Sequence, residues 1–402
     1  MTTLLAATTD PAEALARLDM AVIAIYFVVI MAAGLLSVRK LTMTGETYFL
    51  AGRSLHWPVV GAALFASNIS TIHLVGLAEA GYIHGMVMGN FEWMATFTLC
   101  LLALVFGPIY FGARISTLPE YLERRFGPAP RSIMAFMAIM AALLIHIGIS
   151  LYAGAKVSQQ FFDIPVNYSI FIISGMTAFY TVIGGLTAVV VTETLQTVIL
   201  LLGDALVTGL DLFALPEAGV ASWSELQAAV KPDQMSMLQA SNDQGYSWYA
   251  FLLGYPVLGV WYWCTDQTIV QRVLGADTQR DAQFGALFAG LLKILPTFLM
   301  VFPGVLAFVL FREQIGCKTA STLPVLITEL VPTGMKGLLA AALLAALMST
   351  IAAALNSAAT LVAVDIVGHF RPQTTDRQQV FVGRTAAVVA MLTAMAWSTQ
   401  GD

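Results

Sequence analysis

Charge is what this sequence has least of. Lys, Arg, Asp and Glu make up 11% of its 402 residues, against about 25% in soluble domains. Hydrophobic residues reach 58% and the mean hydropathy is +0.80, so the chain reads as an integral membrane protein. No basic tract is present, which excludes nucleic acid as a partner. The three cysteines, Cys100, Cys264 and Cys317, have no metal-site spacing and imply no disulfide framework. Nucleophile–base triads, phosphate loops and nucleotide fingerprints are missing, so nothing points to an enzyme. Met1 to Asp19 carries acids and no basic region ahead of an apolar run, unlike a cleaved signal peptide.

What the chain has instead is long apolar runs. Taking about 20 residues as one span, ten segments stand out: 18–38, 57–83, 91–113, 131–155, 166–183, 187–213, 247–270, 283–311, 334–366 and 381–398. With the N-terminus outside, the inner loops hold 12 Lys and Arg and the outer segments 6, with Lys293 inside a span. The excess of positive charge on inner loops therefore puts the N-terminus outside a multi-pass protein of the plasma (cell inner) membrane. Gly184-Gly185 reads as a tight turn, and 214–246 and 312–333 as the two long loops.

Polar interruptions inside these runs carry the functional signal. Ala66-Ser-Asn-Ile-Ser-Thr-Ile-His73 lies in the middle of segment 57–83. A bilayer centre offers no water to such groups, so the run needs a cavity or a site to face. We read it as a broken helix whose bare carbonyls and side chains build a site. Segment 247–270 ends Trp261-Tyr-Trp-Cys-Thr-Asp-Gln267, a second interruption in the matching place of the other half. Paired interrupted helices are the best sequence pointer to a transporter site. Glu92 and Lys293 add a carboxylate and an ammonium in apolar surroundings, each requiring a partner. Ala346, Ser349 and Thr350 stand at i, i+3 and i+4, on one helical face, suited to a small hard cation. Glu193, Asp204 and Asp211 fall close to one stripe of segment 187–213, with Asp211 expected to be exposed and Glu193 with Asp204 forming an acidic cation path.

These motifs resemble the sodium/solute symporter family, and within it the sodium/glucose cotransporter branch. The resemblance rests on Tyr48-Phe-Leu-Ala-Gly-Arg-Ser54, Phe65-Ala-Ser-Asn-Ile-Ser70, Phe91-Glu-Trp93, Tyr180-Thr-Val-Ile-Gly-Gly-Leu186, Thr192-Glu-Thr-Leu-Gln-Thr197, the run Trp261 to Arg272 and Leu355-Asn-Ser357. It implies an all-α, leucine-transporter-like inverted-repeat fold behind one leading helix, in a single transmembrane domain. The first repeat would span about 57–213 and the second about 247–398. By resemblance, sodium is co-transported and held by carbonyls of Ala66, Ile69 and Ala346 and hydroxyls of Ser349 and Thr350. The sugar is expected against Asn68, His73, Glu92, Tyr262, Trp263 and Lys293, with Tyr262 as inner gate. Asp266 and Gln267 either join that set or hold the helix break together. The expected activity is sodium-coupled symport of a sugar such as glucose or galactose by alternating access.

The sequence also departs from the family. Glu193 stands where Asp is common, and Thr350 where Ser is common. Ala352 lacks the hydroxyl of two-sodium members, and Gly259 replaces a polar residue. The chain ends at Asp402, just beyond the ninth core span, so a tenth core helix is absent from it. That leaves open a fragment, an incomplete second repeat, a symporter for another solute (an inositol, an amino acid, an organic acid), and a sensor or ion leak that does not accumulate solute.

Overall fold

The computed structural model describes residues 17–162, 164–240 and 245–400. The N-terminal stretch read above lies almost wholly outside them. Every named element among the described residues is helical, and backbone pairing is limited to isolated bridges at Leu55–Ala276 and Gln239–Ser247. Among the described residues seven helical stretches are long and apolar enough to cross a membrane, two of them, His73–Ala113 and Val166–Ala218, being interrupted at Gly85 and Gly185.

The leading helix α1 (Arg17–Val38) is anchored at its start, where buried Asp19 accepts the backbone N–H groups of Gly334 and Gly337 at 2.8 and 2.6 Å. The segment 57–83 is two helices. α2 (Trp57–Asn68) ends where Ile69 and Ser70 turn extended, with φ/ψ of −72/114° and −113/171°. α3 (Thr71–His84) then begins with a capping box, Ser70 and His73 each satisfying the other's backbone N–H. Ser, Asn and His supply the hydrogen bonds that let the chain leave the helix without orphaned groups.

α4 (Asn90–Leu101) continues through a wider turn into Gly107–Ala113, and α5 (Pro128–Ala141) continues likewise into Ser150–Phe162. Segments 166–183 and 187–213 are two helices that meet, as expected, in a sharp kink at Gly185, whose φ/ψ of +58/−149° is not helical; together they are labelled α6 (Val166–Ala214). A Cβ there would come within 2.3 Å of the Tyr48 carbonyl, so only glycine permits this kink and this contact. α7 (Trp248–Gly259) runs through a wide turn, 260–265, to an extended Asp266, and α8 (Gln267–Leu274) follows. α9 (Gln279–Leu292) leads into Phe302–Leu310, α10 (Met335–Thr360) is the most enclosed helix, and α11 (Asp376–Ser398) closes the order. The long loops hold the short helices Trp223–Ala229 and Thr322–Leu330.

Two large apolar cores lie on either side of α2. One joins α1, α6, α10 and α11 and takes Phe65 and Ile69; the other joins α4, α8 and α9 and takes Val60, Ala63 and Leu64. The helix α2 therefore belongs to both, passing from one core to the other between Leu64 and Phe65, about one turn before the break.

Candidate functional site

At the break, the carbonyls of Ala66 and Ile69 have no helical donor and meet α10. Ser349 Oγ donates to Ala66 O at 2.9 Å and lies 3.0 Å from Ala346 O; Thr350 Oγ1 lies 3.3 Å from Ile69 O and 3.1 Å from Ala346 O. Three carbonyls and two hydroxyls thus converge in a buried spot. The set is all oxygen and carries no formal charge, which fits a monovalent hard cation. Hydroxyls that now donate can rotate to present lone pairs instead.

The other side of the break faces a cavity of about 470 Å³. Asn68, His73, Glu92, Tyr262, Trp263 and Lys293 all line it. Lys293 pairs with Glu92, and its Nζ lies 2.5 Å from Asn68 Oδ1. Asn68 Nδ2 in turn donates to the Tyr262 hydroxyl at 3.1 Å. The ammonium also lies 5.6 Å from the Trp263 ring centre, within reach of the π face. Glu92 is 4% exposed and Lys293 1%. Neither is an exposed helix end nor a side chain stretching to the surface; each is the partner the other required.

Asp266 and Gln267 do not line the cavity. Asp266 caps α8, accepting from the Thr268 N–H at 2.7 Å, and Gln267 Oε1 accepts from the Leu118 N–H at 2.9 Å. Tyr110 donates to the freed Cys264 carbonyl at 2.8 Å. Asp266 thus satisfies a backbone group at the second break, and Gln267 ties the break to the first residue of the helix Leu118–Phe126, which is the alternative role the motif allowed.

The acidic stripe resolves differently from the expectation. Glu193 is neutralised by Arg272, at 2.5 and 3.3 Å, and accepts from Ser67 Oγ at 2.9 Å. Asp211, expected to be exposed, is fully buried, because the bulk of Phe302–Leu310 and Thr322–Leu330 packs over this end of α6. Glu193 is therefore held in an ion pair, apart from Asp204.

Sequence reasoning missed two groups. His146 lines the cavity, with Nε2 3.5 Å from Asp266 Oδ2 and its ring 6.3 Å from Tyr262. A lone histidine in segment 131–155 was its only signal. The second is Arg131, which joins Asp365 at 2.8 Å, and also Glu123, beside Thr117.

Helices broken in matching places around a cavity define the inverted-repeat, leucine-transporter-like class of membrane proteins. The sodium:solute symporter family model matches residues 48–400. The chain belongs to the sodium:solute symporter family. It is 36% identical to sodium/glucose cotransporter 1 of Ovis aries, covering 97% of this chain and 65% of that protein. It is also 36% identical to sodium/myo-inositol cotransporter 2 of Mus musculus, covering 96% of this chain and 62% of that one. The chain thus spans just under two thirds of the length of these relatives. A Na+-coupled sialic acid symporter in a substrate-bound outward-open state has the same fold, with a TM-score of 0.86 at 22% identity, over 96% of this chain and 81% of the other.

Proposed function

We propose that this chain carries a polyhydroxylated solute, glucose or galactose first, across the plasma membrane together with sodium, by alternating access. The similarity to both glucose and myo-inositol cotransporters supports a polyol ring as the solute class. The observation that carries the reading is the break itself. The same few residues offer Ala66 O and Ile69 O to the cation side and Asn68 to the cavity. A sodium bound by Ala66, Ile69, Ala346, Ser349 and Thr350 orders the element that also presents Asn68, and a bound solute does the reverse. Coupling of this kind is reciprocal by linkage.

In the cavity, Lys293 and Asn68 donate to ring hydroxyls, Glu92 accepts from them, and Trp263 supplies a flat apolar wall. His73 borders the same space, and Tyr262, tied to Asn68, closes one side as gate. Movement of one apolar core against the other about α2, which packs in both, opens the two sides in turn. We place the N-terminus outside and take the chain, 1–402, as one transporter domain.

Proteoliposome counterflow with labelled glucose, galactose and myo-inositol tests the reading. Uptake that requires sodium and is competed by one of these is expected; uptake indifferent to sodium would sink the coupling. Competition only by an amino acid or organic acid would move the chain to another solute. Sugar-evoked current without labelled uptake would make it a sensor or leak.

A further inference from the structure

Two carboxyls on α6 take part in neither site. Asp204 and Asp211 stand seven residues apart, with Thr208 between them on the same face. Asp211 is 0% exposed and neither of its oxygens has a hydrogen-bond partner; Asp204 is 8% exposed and its Oδ2 is likewise unpartnered. Their common face turns toward the wide turn Thr297–Val301, since Thr208 Oγ1, which donates to Asp204 O at 2.9 Å, also lies 3.4 Å from Leu299 O.

No compensating cation is in place among the described residues. The stretch 297–310 contains no ionisable residue at all. On Thr322–Leu330 the only charge is Glu329, which accepts from Gln314. Lys336, at the start of α10, lies 3.1 Å from the Thr328 carbonyl, and Asp19 of α1 takes the N–H groups of Gly334 and Gly337. Lys231 and Arg312 both lie over the Phe308 ring, at 5.0 and 4.9 Å, and Glu217 is exposed. An ionised carboxylate with no partner in a dry interior is far less stable than the neutral acid.

We propose that Asp211 and Asp204 are proton-binding sites on α6, each holding a proton in this conformation and separate from the break. Two helical turns place their backbones about 10 Å apart, too far to share one ion. Neither oxygen of Asp211 nor Asp204 Oδ2 has a hydrogen-bonding partner among the described residues, so no shell of bound donors and acceptors marks a metal site there. A proton needs no such shell. The neutral acids also let this face of α6 pack against the apolar 297–310 wall. Withdrawal of that wall would admit water and release the protons, which makes proton occupancy a property of the conformation.

Infrared spectra of the purified full chain in lipid test this, in water and heavy water, at neutral pH. The wild type should show the carbonyl band of a neutral carboxyl, shifted down in heavy water. D211N and D204N should each remove part of it, and the double variant should remove both parts. A wild-type spectrum with only ionised-carboxylate bands overturns the proposal, and it does so even where the variants fail to fold. A neutral band that is undiminished in the double variant overturns it as well. Because the readout is spectroscopic, failure of sodium-driven uptake would refute the proposed function without touching this result.

Discussion

Two buried ion pairs flank the break at 66–73, and their chemistry is alike while their surroundings are not. Lys293–Glu92 and Arg272–Glu193 are each a cation and a carboxylate drawn from distant parts of the chain and nearly closed to solvent. Lys293 and Glu92 border a 470 Å³ cavity and keep bonding capacity turned toward it. Arg272 and Glu193 do not line it: Arg272 also donates to the Thr268 carbonyl at 2.5 Å, and Glu193 also takes Ser67. A buried pair is weak evidence for net stability, because the cost of desolvating both ions is large. One pair is left unsaturated and can recognise a ligand. The other is saturated by protein and fastens α2, α6 and α8 to one another.

The comparison breaks most readily at the saturated pair. Arg272→Ala or Glu193→Ala leaves a lone buried charge and should cost about 3–5 kcal/mol, seen as a drop in the unfolding midpoint in detergent. The double replacement by Met should recover much of that loss; a double cost equal to the sum of the two single costs would mean the pair is not coupled. At the cavity, the E92Q/K293M double variant should fold yet bind solute at least about tenfold more weakly, near 1.4 kcal/mol. The E193M/R272M double should keep its affinity, and equal effects would erase the distinction between the pairs. Next in size, S349A and T350A should each weaken the apparent sodium affinity by about 1–2 kcal/mol, read as a rightward shift in the sodium dependence of solute binding, with T350S near wild type. The smallest effect is expected from H146A, below about 1 kcal/mol on solute affinity, with the sodium dependence unmoved. A larger loss would add the far wall to the recognition set.

Much of the site was legible in the chain because a membrane interior penalises polar groups so heavily that each one marks a need. Asn68, Glu92 and Lys293 stood out for that reason alone, and so did both breaks. What the chain could not show was which need meets which. Glu193 and Asp204 share a stripe and look alike in sequence, yet one is paired with a residue 79 positions away and the other has no partner on one oxygen. Asp211 looked like a helix end at the surface, and was covered by segments whose packing no local pattern encodes. His146 was unreadable because one ring in an apolar run is as consistent with a core position as with a cavity wall. Asp266 and Gln267 kept two readings open until their backbone partners were visible.

By itself the sequence determined the class: a nearly uncharged, strongly apolar chain must lie in a bilayer, and interruptions of its spans must be sites, because no water is present to excuse them. Its motifs determined the family, and the types of ligand atom at the break follow from them. Only the tertiary structure decided the pairing of the buried charges, the packing of α2 into two apolar cores, and the isolation of Asp204 and Asp211. Those are matters of distance between residues far apart in the chain, and the free energy of a buried charge depends on what stands within a few ångströms of it, not on its neighbours in sequence.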